Sequence, residues 1–147
     1  RRPLKNGVDY GFVGDVDKVD GQALTSLLER GVIPVMAPLT HDGKGSLLNT
    51  NADTIAAETA KALTPFFDVT LVYCFEKAGV LANPDDDGSV IPVITKDDFA
   101  TLTANGTISG GMKPKIENAL AAVGQGVRRV IITKADALGT DGGTTIE

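Results

Sequence analysis

Val69–Phe75 (VTLVYCF) runs for seven residues without a charge and is rich in β-branched and aromatic side chains. A run with no polar alternation has no face to offer water, so it reads as a strand buried on both sides. Val32–Leu39 (VIPVMAPL) and Val127–Thr133 read as two further buried strands. Between them lie segments with helical spacing. Ala23, Leu24, Leu27 and Leu28 mark a helix over Gly21–Arg30, with Asp20 as its N-cap and Gly31 as its stop. Ile55, Ala56, Ala60 and Leu63 mark a second over Ala52–Leu63. Thr95-Lys-Asp-Asp98 resembles a capping box and opens a short helix to about Asn105, and Met112–Val123 is a long one closed by Gly124 and Gly126. Tyr10, Phe12 and Val16 could line a strand or hairpin, Asp42–Gly43 is a hairpin-type turn, and Glu76–Val90 is a loop. Strands alternating with helices predict an α/β fold: a three-layer αβα sandwich with a mainly parallel sheet covered on both faces.

A length of 147 residues suggests one domain. With a net charge of −5 the chain lacks the basic excess of a general nucleic-acid binder. Any anion must be held locally, by helix N-termini, backbone amides and a few placed lysines. No apolar run approaches the ~18 residues that span a bilayer, so no membrane partner is expected, and a cytoplasmic location is. One cysteine, Cys74, excludes an internal disulfide, and one histidine, His41, leaves little for a histidine metal centre or a Ser–His–Asp triad. Cys74 is expected in the core and His41 in a turn, neither with a chemical role. Asp85–Asp87 is expected to be a solvated turn, and no metal site is expected.

Three segments have the composition of binding sites. Asn49, Asn51 and Asp53 stand at spacing two before a helix. One of them would serve as a cap; in an extended segment all three would share a side, at the strand-to-helix edge where ligands usually bind. Thr107-Ile-Ser-Gly-Gly111 leads into a helix whose first turn holds Lys115. Gly110 and Gly111 let a backbone approach an anion, and a lysine at the positive end of a helix is explained by a phosphate beside it, or else is a solvated surface lysine. Pro114 is tolerated in that first turn, and Lys113 points elsewhere. The loop Glu76-Lys-Ala-Gly-Val-Leu81 leaves the clearest strand where a nucleotide base and ribose could be covered. None of these is a GxxxxGK[ST] or GxGxxG phosphate loop.

Taken in order, Gly14-Asp-Val16, Gly31-Val-Ile-Pro-Val35, Asn49-x-Asn-Ala-Asp53, the strand and exit at Val69–Leu81, Gly106-Thr-Ile-Ser-Gly-Gly-Met-x-Pro-Lys115 and Gly143-Thr-Thr-Ile146 resemble the N-acetylglutamate kinases of the amino acid kinase family. The resemblance covers essentially the whole sequence but only the C-terminal part of that family's chain. The family's N-terminal glycine-rich loop, with its lysine, and a substrate-holding arginine have no counterpart here, so the N-terminal portion is expected to be absent or supplied separately.

The resemblance implies transfer of the γ-phosphate of ATP, with Mg2+ bridging its phosphates, to the side-chain carboxylate of an N-acylated L-glutamate in arginine biosynthesis. It implies that Lys115 stabilises the transferring phosphoryl group and that Asp53 orients the catalytic lysines. Asn49 would hold the α-carboxylate or acyl-amide end of the substrate, with Asn51 beside it. Glu76, Lys77, Ala78, Gly79, Val80, Leu81, Thr107, Ile108 and Ser109, with Gly110 and Gly111, would line the nucleotide site. Residues 1–50 would close a substrate-binding and dimerisation lobe, residues 51–147 would form the nucleotide-binding lobe, and the protein would be a homodimer. The family usually has Asp-Val-x-Gly-Val-Leu where this chain has Glu76-Lys-Ala-Gly-Val-Leu81, which leaves acetyl and succinyl both open as the acyl group. Two other readings are a non-catalytic nucleotide-binding domain and a related kinase acting on a carbamate, an aspartate or a nucleotide.

Overall fold

The structure is a computed structural model that describes residues 3–140 and 142–147. Its contacts divide the chain into two compact units, Arg1–Phe67 and Asp68–Glu147. The division falls after the helix at Ala52–Leu63, which packs with the first unit.

The first unit opens on a minimal hairpin, β1 (Leu4–Lys5) against β2 (Val8–Asp9). Its turn is Asn6-Gly7, both residues with positive φ, the sequence most suited to a two-residue hairpin loop. Helix α1 (Gly21–Glu29) begins where the Asp20 carboxylate accepts the Ala23 N–H at 3.0 Å, as the sequence predicts. Strands β3 (Leu39–His41) and β4 (Leu47–Asn49) form an antiparallel hairpin around the Asp42 turn. Asp42 accepts N–H bonds from Lys44 and Ser46, and these hold its carboxyl below the usual range. Helix α2 (Ala52–Leu63) has the predicted bounds and buries Ile55, Ala57 and Ala60, while Leu48 of β4 is fully enclosed.

One predicted strand of this unit does not form. Of Val32–Leu39 only Leu39 enters a strand, and Ile33 and Val35 stand 86% and 95% exposed. Pro34 and Pro38 each remove an N–H from any ladder, and no described strand pairs with Val32–Pro38. Apolar composition without a ladder partner leaves it extended over the surface.

The second unit is built on one four-stranded sheet. In chain order its elements are β5 (Thr70–Phe75), β6 (Val93–Ile94), α3 (Lys96–Ala104), α4 (Met112–Val123), β7 (Arg129–Lys134) and β8 (Thr144–Ile146). The strands lie β5-β7-β8-β6; β5 with β7 and β6 with β8 are parallel, β7 with β8 antiparallel. The α/β class with a mainly parallel sheet is as expected. Strands β6 and β8 are too short to show a period in sequence.

Helix α4 sets Ile116, Ala119 and Ala122 against β7 and β8, all with no exposed surface. Full burial of a side chain such as Ile116 is worth about 1.5–3 kcal/mol. Helix α3 opens with a complete capping box: Thr95 Oγ1 accepts the Asp98 N–H, and the Asp98 carboxylate accepts the Thr95 N–H at 2.9 Å. Two expectations for β5 need correction. Leu71, Tyr73 and Phe75 face inward, but Val72 and Cys74 are exposed, so the strand is covered on one side and Cys74 is no core residue. A strand without polar alternation in sequence still alternates in burial, because only the face that carries Tyr73 is covered. Among the described residues no helix is long and apolar enough to cross a membrane.

Candidate functional site

The Asn49, Asn51 and Asp53 set lies in the first unit. Asn49 ends β4, and its backbone is held from both sides: its N–H donates to Phe12 O at 2.7 Å, and its C=O accepts from Gly14 N at 2.8 Å. Its side chain is left exposed at the head of α2. Asn51 is the N-cap; its Oδ1 accepts the Thr54 N–H at 3.0 Å, which leaves the side-chain NH2 for other contacts. Asp53 already lies in the first turn of α2, where its charge suits the helix dipole. The extended geometry that would align all three side chains therefore stops at Asn51. The strand that leads into them is half of an antiparallel hairpin, joined to Val13 by a single parallel bridge.

The remaining predicted residues lie in the second unit. Glu76 and Lys77 leave the C-terminal end of β5 beside Lys134, which is level with Phe75 in the parallel ladder. The turn Asp85–Asp87 is exposed, as expected, and from it Asp87 Oδ1 accepts a hydrogen bond from Lys77 Nζ at 2.6 Å. That hydrogen bond raises the Lys77 ammonium above its ordinary pKa and lowers the Asp87 carboxyl. The next residues turn inward. Gly79 is buried, and Val80 and Leu81 are 2% and 9% exposed. A Cβ on Gly79 would meet Thr144 Oγ1 and Val90 Cγ1, each at 2.7 Å, so only glycine fits here. Val80 and Leu81 therefore serve the core, as does Ile108 at 2% exposure, while Glu76, Lys77, Ser109, Gly110 and Gly111 are exposed and Ala78 and Thr107 half-buried.

Helix α4 starts without a side-chain cap, and neither Gly110 nor Gly111 would place a Cβ within 4 Å of another atom. The Met112 N–H donates to Ser109 O at 3.3 Å and Pro114 has no N–H, which leaves Lys113 as the first-turn amide without an intrahelical partner; Gly110 has a φ of +55°, in the left-handed region that glycine adopts at least cost. Helix ends left uncapped in this way suit anions. Lys113 is exposed, whereas Lys115 is half-buried, with Nζ over the Tyr73 ring at 4.8 Å from its centroid. Lys115 is thus no freely solvated surface lysine. A cation in a first turn is disfavoured by roughly 0.3–1 kcal/mol, and a cation over an aromatic face recovers about 0.5–2 kcal/mol. Tyr73, buried at 5% exposure, is the residue that sequence reasoning read only as part of a strand. No local pattern could have paired it with Lys115, because the contact is made by a helix crossing a sheet.

A cleft of about 560 Å³ lies in the first unit between the segment Asp15–Asp20 and the β3–β4 hairpin, and none of the predicted site residues lines it. Among the described residues no three His, Cys, Asp or Glu side chains converge as a metal cage would need.

A mainly parallel α/β unit with a glycine-led, uncapped helix and a first-turn lysine has a clear family counterpart. The model of the amino acid kinase family matches residues 2–134, and the chain belongs to that family. It is 61% identical over all 147 residues to the acetylglutamate kinase of Phocaeicola vulgatus and, equally, to that of Bacteroides fragilis. It spans 57% and 56% of the length of those two relatives. Among solved structures, N-acetylglutamate synthase from Neisseria gonorrhoeae, complexed with coenzyme A and L-arginine, superposes with a TM-score of 0.82 at 28% identity. That match covers 97% of this chain and 34% of the other.

Proposed function

We propose that the chain serves a kinase that moves the γ-phosphate of ATP to the side-chain carboxylate of an N-acylated L-glutamate, acetyl or succinyl, in arginine biosynthesis. The observation that carries this reading is the 61% identity to the acetylglutamate kinase of Phocaeicola vulgatus over all 147 residues.

Phosphoryl transfer asks the protein mainly to position two anions and to stabilise charge as it develops. In this reading the Lys113 amide and the glycine-led loop before α4 receive phosphate oxygens, and the Lys115 ammonium stabilises the transferring group. Asn49 and the free NH2 of Asn51 bind the polar end of the acylated glutamate, and Asp53 supplies the carboxylate that keeps catalytic ammonium groups oriented. Glu76, Lys77 and Ala78, with Thr107 and Ser109, flank the nucleotide; Gly79, Val80, Leu81 and Ile108 shape that wall from within the core. Mg2+ would arrive with ATP and would neutralise phosphate charge. The division into a substrate lobe ending near residue 50 and a nucleotide lobe from residue 51, a homodimeric assembly and a cytoplasmic location belong to the same proposal.

A coupled assay with ATP and N-acetyl- or N-succinyl-glutamate, run on the protein at the length of its relatives, tests the reading. Turnover on one of the two, lost by orders of magnitude in a folded Lys115→Ala variant, supports it. Absence of turnover on both overturns it.

A further inference from the structure

We propose that Tyr73 is a positioning residue for Lys115, its ring face acting as the platform that fixes where the ammonium stands at the mouth of α4. The proposal rests on the kinase reading, which gives that ammonium its work, and adds a residue to it.

Three observations carry it. The ring is anchored: Tyr73 lies mid-strand in β5, level with Ile132 of β7, and is buried at 5% exposure. The ammonium sits over that ring, 4.8 Å from its centroid, although a lysine side chain in the first turn of a helix has many solvated alternatives. The helix start beside it is open, since α4 has no side-chain cap and Gly110 and Gly111 have free space where a Cβ would be. A flexible cation next to an anion-binding helix end is useful only if it is held within reach of the incoming phosphate. An aromatic face does this by attracting the ammonium to the ring's negative quadrupole.

The test uses the full-length protein and two variants. Tyr73→Phe keeps the ring, and Tyr73→Leu removes it while remaining apolar. NMR of lysine-labelled protein reads the contact directly, because a ring face shifts the Lys115 ε-methylene protons upfield. The expected result is an upfield signal in wild type and Tyr73→Phe that is missing from Tyr73→Leu. In parallel, kcat of Tyr73→Leu falls about ten-fold or more, with both KM values within about two-fold of wild type, and Tyr73→Phe restores kcat. In the background of Lys115→Ala the Leu substitution costs nothing further, as a residue acting through the lysine requires. Tyr73→Met gives a second ring-free variant of different shape, and it must behave as Leu does. A folded ring-free variant with wild-type kcat, or the absence of the upfield signal from wild type, overturns the role of Tyr73 while leaving the kinase reading intact. A wild-type protein inactive on every acylglutamate overturns that reading, and with it this role.

Discussion

Thr144 Oγ1 accepts the Val80 N–H at 2.8 Å and donates to Ile91 O at 2.7 Å, so one hydroxyl on β8 ties together both arms of the loop that leaves β5. Thr144 has no exposed surface and Val80 only 2%, so no water replaces the bond to the Val80 N–H. Thr144→Val keeps the shape and leaves a buried N–H unpaired. The expected loss is about 1–3 kcal/mol of stability, seen in urea unfolding as a lower midpoint with an unchanged slope. An unchanged midpoint would show that the hydroxyl is dispensable.

Gly79 follows from the same contact. An alanine there would drive its methyl into Thr144 Oγ1 and Val90 Cγ1. Gly79→Ala is expected to destabilise by about 1–3 kcal/mol, through overpacking. Combining it with Thr144→Ser, which trims the methyl but not the hydroxyl, should leave most of that loss in place; thermal melts of the three variants decide the point.

Asn51 carries a structural duty that can be separated from any role toward substrate. Its Oδ1 caps α2, so Asn51→Ala should cost about 0.5–2 kcal/mol, whereas Asn51→Asp keeps the cap. If the side-chain NH2 also contacts the acylated glutamate, Asn51→Asp will be stable yet show a raised KM for that substrate alone. Wild-type kinetics in the stable Asp variant would confine Asn51 to capping.

The capping box of α3 gives a pH signature. The Thr95 hydroxyl and backbone N–H both donate to the Asp98 carboxylate and hold its pKa below the usual value. A depressed native pKa adds stability that is complete above the unfolded carboxylate pKa and is lost as pH falls through the native one. Wild type should therefore lose more stability than Asp98→Asn as the pH is lowered below about 5. Melting temperatures measured down the acid limb provide the check; parallel curves for the two proteins would contradict it.

The helices were legible because their ends are written in local chemistry. Asp20, Asn51 and Thr95 each present an oxygen to a first-turn N–H, and Gly111 and Gly124 bracket α4. Strands depend on neighbours, and there the sequence misleads. Val32–Leu39 has strand composition, but its two prolines and lack of a ladder leave it unpaired, while β6 and β8 are shorter than any readable period. Cys74 looked internal because its own strand is apolar throughout, yet it lies on the side of β5 that is left exposed. At the candidate site, the glycine-led start of α4 and the cap at Asn51 could be read directly. The inward turn of Val80 and Leu81, and the stacking of Lys115 on Tyr73, depend on tertiary packing with no local trace.

The chain has two tyrosines, Tyr10 and Tyr73, and no tryptophan. Its ultraviolet emission is therefore phenolic, undimmed by energy transfer to indole, and half of its fluorophores lie directly under a lysine ammonium. Replacing Tyr10, which is largely exposed, by phenylalanine leaves a single native chromophore. Its intensity and lifetime then report, without any label, on the ammonium that sits over the Tyr73 ring.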